Sequence, residues 1–173
     1  MPAKPSPDAV PVPAVLDASH AALLRRRVSV NAATRDAAGV PHLMRAVGYR
    51  VDADFRCVTL FLNRAQSRQL LADIEDNGAI AVVFSEPTTH HTLQLKGFDA
   101  RAVPLRPDDP ARVAAYRETL ADEIAVLGFE RALVYALLAC TGDSLAAVAF
   151  TPSLAFRQTP GVHAGQALGG EAP

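Results

Sequence analysis

Between Thr59 and Gly97 the chain reads as strand, short helix, strand, tight connection and strand. Thr59–Asn63 is an apolar, β-prone run. Asn63 and Gln66 then make a capping-box pattern, and Leu70, Leu71 and Ile74 give the following helix an apolar face that Asn77-Gly78 ends. Ala79–Ser85 is a nearly continuous apolar strand, expected to be buried on both faces, and Thr92–Val103 is expected as the next strand. Parallel strands need long crossovers, whereas tight turns join antiparallel ones. The expected class is therefore mainly β with inserted helices (α+β), built as a small barrel of five or six short strands.

The flanking sequence extends this reading. Residues 1–16, with five prolines between Pro2 and Pro13, read as a disordered arm. A short helix is expected over Ala18–Arg25, and the β-branched run Val28–Thr34 reads as a strand. A Gly39/Pro41 turn then leads into one long strand, His42–Val51, followed by a strand over Cys57–Leu62. After Val103 the period changes. Pro110 suits a first helical position, and Val113, Tyr116, Leu120, Ile124 and Leu127 recur at helical spacing until Gly128. A second helix, Phe129–Ala139, completes an insert over about residues 107–140, and Leu145–Phe150 is the last strand. One domain is expected over residues 17–156. Its tail, residues 157–173, is too rich in Gly and Pro for regular structure, and it is expected to fold over a pocket with the help of Gly165 and Gly169.

Composition excludes several classes. Half of the residues are hydrophobic and the formal net charge is −1, so no bulk field draws the chain to nucleic acid or to an acidic membrane. No apolar run reaches the length of a membrane span. Cys57 and Cys140 are expected as reduced, buried thiols of a cytoplasmic protein, and neither has metal-ligand spacing. The chain contains no Gly-rich phosphate loop, no His-Glu-x-x-His and no Gly-x-Ser-x-Gly. His90 and His91, as strand neighbours, point to opposite faces and cannot jointly chelate unless they sit in a loop, and no metal site is expected.

What remains is a set suited to phosphate. From Ala22 to Arg50 there are six arginines against one acid, Asp36. Arg45 and Arg50 lie at odd spacing on the expected strand and face opposite sides unless a bulge at Gly48 intervenes. Ser67 and Arg68 follow Asn63 at a strand-to-helix handover, where unpaired N–H groups and the helix dipole favour an anion. Each arginine taken alone also reads as an exposed, solubilising charge.

The order of these segments resembles a family. Arg45-Ala46-Val47-Gly48-Tyr49-Arg50 is similar to the Arg-x-x-x-x-Lys strand of pyridoxamine 5′-phosphate oxidases. Phe61-Leu62-Asn63 with Ser67-Arg68 is similar to their aromatic-Thr-Asn…Ser-Arg-Lys segment, and Asn77–Phe84 and His91–Gly97 resemble two further strands. The resemblance spans about residues 25–104. It implies a six-stranded antiparallel split β-barrel that binds FMN at the interface of a homodimer. Carried over, it implies cofactor contacts from Arg45, Ala46, Val47, Arg50, Asn63, Ser67, Arg68 and Thr92, the last in place of a Gln near the flavin ring. The departures are Gln69 in place of the Lys, a spacing from Asn63 to Ser67 longer by one residue, and the absence of any Trp. The expected function is that of a flavin-dependent oxidoreductase acting on a small molecule. A non-catalytic flavin- or haem-binding module, with His90, His91 or His163 as haem ligand, is the alternative, and an interaction domain with an empty barrel is a third reading.

Overall fold

The computed structural model describes residues 15, 16 and 18–168. The arm expected over residues 1–16 lies outside them except for its last two residues, and so does Gly169. The elements run α1 (Ala18–Leu24), β1 (Ser29–Arg35), β2 (Pro41–Arg45), β3 (Gly48–Val51), β4 (Val58–Asn63), α2 (Arg68–Asn77), β5 (Ile80–Ser85), β6 (Thr92–Gly97), β7 (Arg101–Val103), α3 (Asp109–Val126), α4 (Arg131–Leu137), β8 (Leu145–Phe150), β9 (Leu154–Arg157) and β10 (Ala167–Leu168).

The strands form two antiparallel sheets, one ordered β10-β9-β6-β5-β1-β2 and one ordered β3-β4-β8-β7. Ten strands stand among the described residues where six were expected, because two expected long strands each break and change sheet and β9 and β10 follow the last expected strand. His42–Val51 divides at Ala46-Val47. The Ala46 N–H donates to Val30 O of the first sheet (2.9 Å) and the Val47 N–H to Phe61 O of the second (2.8 Å). Arg45 and Arg50 therefore belong to different sheets, and no bulge within one strand relates them. Thr92–Val103 divides after Gly97. A Cβ there would come within 2.6 Å of the Phe150 ring and 2.8 Å of Thr151 O, so the crossing strand demands glycine. The tail also departs from expectation. Arg157–Gln166 closes on itself, with Gly165 N–H donating to Arg157 O (2.7 Å), and lets β10 pair with β9.

The core lies between the sheets, with Phe84, Val82, Leu95 and Val30 from the first and Leu60, Leu62, Val148 and Phe150 from the second fully buried. Burying one such side chain contributes about 1.5–3 kcal/mol. β5 alternates, with Ile80, Val82 and Phe84 buried and Ala81, Val83 and Ser85 half-buried, instead of being covered on both faces. β4 and β8 are covered on both faces. Gly48 lets Phe61 and Val113 of α3 approach within about 3.3 Å of where its Cβ would stand, so the insert closes over the outer face of the second sheet. Gly78 ends α2 in the left-handed conformation (φ 66°), as its position after Asn77 requires. Among the described residues no helix is long and apolar enough to cross a membrane.

Candidate functional site

The strand-to-helix handover differs from the expected capping box. Asn63 Oδ1 accepts the N–H groups of Ala65 (3.1 Å) and Gln66 (3.3 Å), which makes a tight turn over residues 64–67. The helix begins only after it, with Ser67 as N-cap. The Ser67 side chain is buried, and its Oγ has no hydrogen-bond partner among the described residues. A cap hydroxyl ordinarily accepts an N–H of the first turn. Here the hydroxyl and the first N–H groups of α2 are unused together, and a buried polar atom without a partner costs about 1–3 kcal/mol. Arg68 and Arg64 line a cleft of about 650 Å³ beside this turn, floored by Ala100, Ala102, Ala146 and Ala147. Arg64 spends one long bond on Leu145 O (3.4 Å), and the Arg68 guanidinium has no partner among the described residues.

α2 is held in place from its middle. Asp73, buried, accepts from Thr34 Oγ1 (2.6 Å) and lies 2.7 Å from His42 Nδ1, which ties the helix to β1 and β2. Burial pushes the Asp73 carboxyl up, but the hydrogen bonds from Thr34 and His42 outweigh burial and hold it below the usual carboxylate value. A carboxyl depressed on folding stabilises the chain above its unfolded value of 3.8, and that stabilisation is lost as pH falls through the still lower folded value. In urea titrations the native chain is therefore expected to lose stability below about pH 4 more steeply than Asp73→Asn. Parallel pH profiles for the two proteins would overturn this.

The carried-over arginines do not join Ser67 and Arg68. Arg45, at the end of β2, donates from Nη1 to Ser29 Oγ. Ala46 and Val47 are buried at the sheet crossing. Arg50 is 8% exposed, donates to Asp109 at the start of α3 and to Thr59 Oγ1 (3.2 Å), and lies over the Phe61 ring. Its partner in register is Thr59, four residues before Asn63 along β4, a separation of about 13 Å. The Asp109 partnership gave no local signal, since Asp109 reads as a helix cap and stands far from Arg50 in the chain.

Thr92 stands in another place. Its hydroxyl lies 2.8 Å from Ser85 Oγ and its N–H donates to Thr159 Oγ1 (3.0 Å), which draws the tail against the start of β6. Thr92 lines a cleft of about 550 Å³ with His20, His91 and His163, Arg26 and Arg157, and with no carboxylate in its wall among the described residues. His90 is outside that wall, in a left-handed conformation (φ 60°). Among the described residues no group of three His, Cys, Asp or Glu side chains stands together for a metal ion. Cys57 and Cys140 are free and half-buried.

No family model and no curated protein matches the chain. Among solved structures it is similar to HupZ of Group A Streptococcus, with a TM-score of 0.52, 21% identity, and coverage of 87% of this chain and 99% of that one. The chain has the fold of HupZ. Other similar structures are a protein from Clostridium acetobutylicum related to general stress protein 26, of the pyridoxinephosphate oxidase family (TM-score 0.48, 17% identity, 82% of this chain and 88% of that one), and HutZ, the haem storage protein of Vibrio cholerae (0.47, 14%, 80% and 92%).

Proposed function

We propose that the chain is a flavoprotein that binds FMN, with the phosphate at the start of α2, and acts as a flavin-dependent oxidoreductase on a small molecule. The observation that carries this reading is the buried, unpartnered Ser67 Oγ at the N-terminus of α2, flanked by Arg68 and Arg64. A hydroxyl, free N–H groups and two guanidinium forks are the donor set that a phosphate monoester takes. Bound FMN supplies the hydride and electron transfer, and the chain's residues bind and orient it. Arg50, held by Asp109, is left out of this contact set, and Arg45 reaches Ser29 instead. Of the flavin-contacting residues implied by the family resemblance, Thr92, Arg50 and Arg68 line three separate clefts of one chain, which supports the reading that a second copy completes the site.

Titrating purified chain with FMN is expected to saturate at one flavin per chain, and light scattering to give twice the 18.3 kDa chain mass. Charge-assisted contacts contribute about 1.5–3 kcal/mol, so Arg68→Ala is expected to weaken FMN binding at least about tenfold. Unchanged affinity in that variant sinks the assignment. The three imidazoles around the Thr92 cleft favour a second reading, haem ligation by His91 or His163, because neutral imidazole is a common axial ligand. Absorbance of the same sample separates the two, since haem gives a Soret band and flavin does not.

A further inference from the structure

We propose that the cleft between the end of α1, β3 and α3 is a second anion site, one that takes a small molecule carrying a phosphate or diphosphate group. It is separate from Ser67 and Arg68 and does not depend on the flavin reading. Three consecutive arginines after α1 (Arg25, Arg26, Arg27) meet Arg50 of β3 and Arg112 of α3 around a space of about 470 Å³, with Asp52 as the one carboxylate in the wall among the described residues. That volume is within the range of small-molecule sites, about 300–1,000 Å³.

The donors there are not used up. Arg50 is more than nine-tenths buried, yet its Nε makes no hydrogen bond; the nearest carboxylate oxygen, Asp52 Oδ1, is 3.8 Å away, too far to accept one. Arg25 has no side-chain partner among the described residues. Arg26 commits only Nη1, to Glu86 (2.9 Å), and Arg112 only Nε, to Asp108 (2.8 Å), while Arg27 stands 4.0 Å from Asp122. A guanidinium carries five N–H donors in a fixed fork, so most of these forks keep two or more for an incoming oxygen. Glu86, Asp108, Asp109 and Asp122 stand outside the wall of the cleft. The half-exposed pairs of Arg27 with Asp122 and of Arg112 with Asp108 are of a kind that contributes little, so a dianion can take those forks over, while Arg26 keeps Nη1 on the buried Glu86 and offers its other donors.

One wall is aromatic. Phe55 is held at φ 58° by the turn that its N–H closes on Asp52 O (3.0 Å), and its ring stands at the cleft. A large side chain in the left-handed region is uncommon, and such positions gather at binding sites. A phosphate gripped by the arginines leaves the remainder of its carrier against this ring.

The test is calorimetric titration of the full chain with inorganic pyrophosphate, repeated with sulfate and at raised salt. Saturable one-to-one binding is expected, tighter than sulfate and weakened by salt. The exposed double variant Arg25→Gln/Arg112→Gln is expected to lose affinity at least tenfold with an unchanged melting temperature, whereas Arg68→Ala leaves pyrophosphate affinity unchanged. Prior saturation with FMN is expected to leave it unchanged as well. Absence of binding, binding indifferent to the double variant, or stoichiometric displacement of pyrophosphate by FMN would each overturn the proposal. Failure of FMN to bind at all leaves the pyrophosphate result standing, so the two readings fail separately.

Discussion

Asp109→Ala is expected to destabilise the chain by about 3–5 kcal/mol, the range for removing one partner of a buried ion pair. Asp109 is fully buried and Arg50 nearly so, and their carboxylate–guanidinium contact joins the first turn of α3 to β3. Asp109 also accepts the Arg106 N–H (2.7 Å), which fixes the chain's entry into the helix. Truncation leaves the nearly buried guanidinium over the Phe61 ring with Thr59 Oγ1 as its one hydrogen-bond acceptor among the described residues and Asp52 3.8 Å from its Nε. Replacing both partners has a different effect. Arg50→Met with Asp109→Leu exchanges two charges for apolar groups of similar size, and such exchanges are often neutral or stabilising. The double variant is therefore expected to recover most of the loss, and a urea-denaturation cycle over the four proteins measures the coupling. A loss below about 1 kcal/mol in Asp109→Ala would show that the pair is solvated.

That pair also marks how far the chain was legible before its structure. Local signals were read well. The 3.6-residue spacing of Val113, Tyr116 and Leu120 placed α3, and each of those side chains is buried. Asn77-Gly78 placed the end of α2, and Gly128, at φ 85°, ends the α3 hairpin arm. The breaks at Ala46-Val47 and after Gly97 were not legible. At a sheet crossing the inward side chains stay buried through the change of partner, so the apolar pattern runs on while the hydrogen bonds switch. The handover at Asn63 was half legible. Its side chain caps a turn as the residue type favours, but the turn intervenes before the helix, and Ser67 takes the cap position with its hydroxyl unspent. The phosphate set was read as one cluster because its members are close in sequence order. Tertiary pairing with Ser29 and Asp109, remote in the chain, divides it. The two further clefts were invisible for the same reason, since each is assembled from three distant segments.

Phe84→Ala is expected to cost about 3–5 kcal/mol, the range for emptying a buried phenylalanine site. Phe84 is fully buried on β5 of the first sheet, and its ring meets Tyr49 of the second edge-on, with centroids 5.2 Å apart at 72°. Tyr49 in turn meets Tyr116 of α3 at 5.7 Å and 81°. The three rings thus form a continuous seam joining both sheets and the insert, and each edge-to-face pair contributes about 0.5–1.5 kcal/mol beyond the area it buries. Burial pushes both tyrosine hydroxyls well above the ordinary phenol value, so no ionisation intrudes on the seam in the physiological range. Tyr49 cannot shift into the space left by Phe84, because its hydroxyl donates to Leu24 O (2.6 Å) and would lose that bond by moving. The cavity therefore stays open, and the cost falls near the upper end of the range. Phe84→Leu fills most of the volume and is expected to lose less, with the remainder reporting the lost ring pair. Urea midpoints of the two variants check the order. A Phe84→Ala loss no larger than that of Phe84→Leu would mean that the sheets close over the gap and that the aromatic seam is not what joins them.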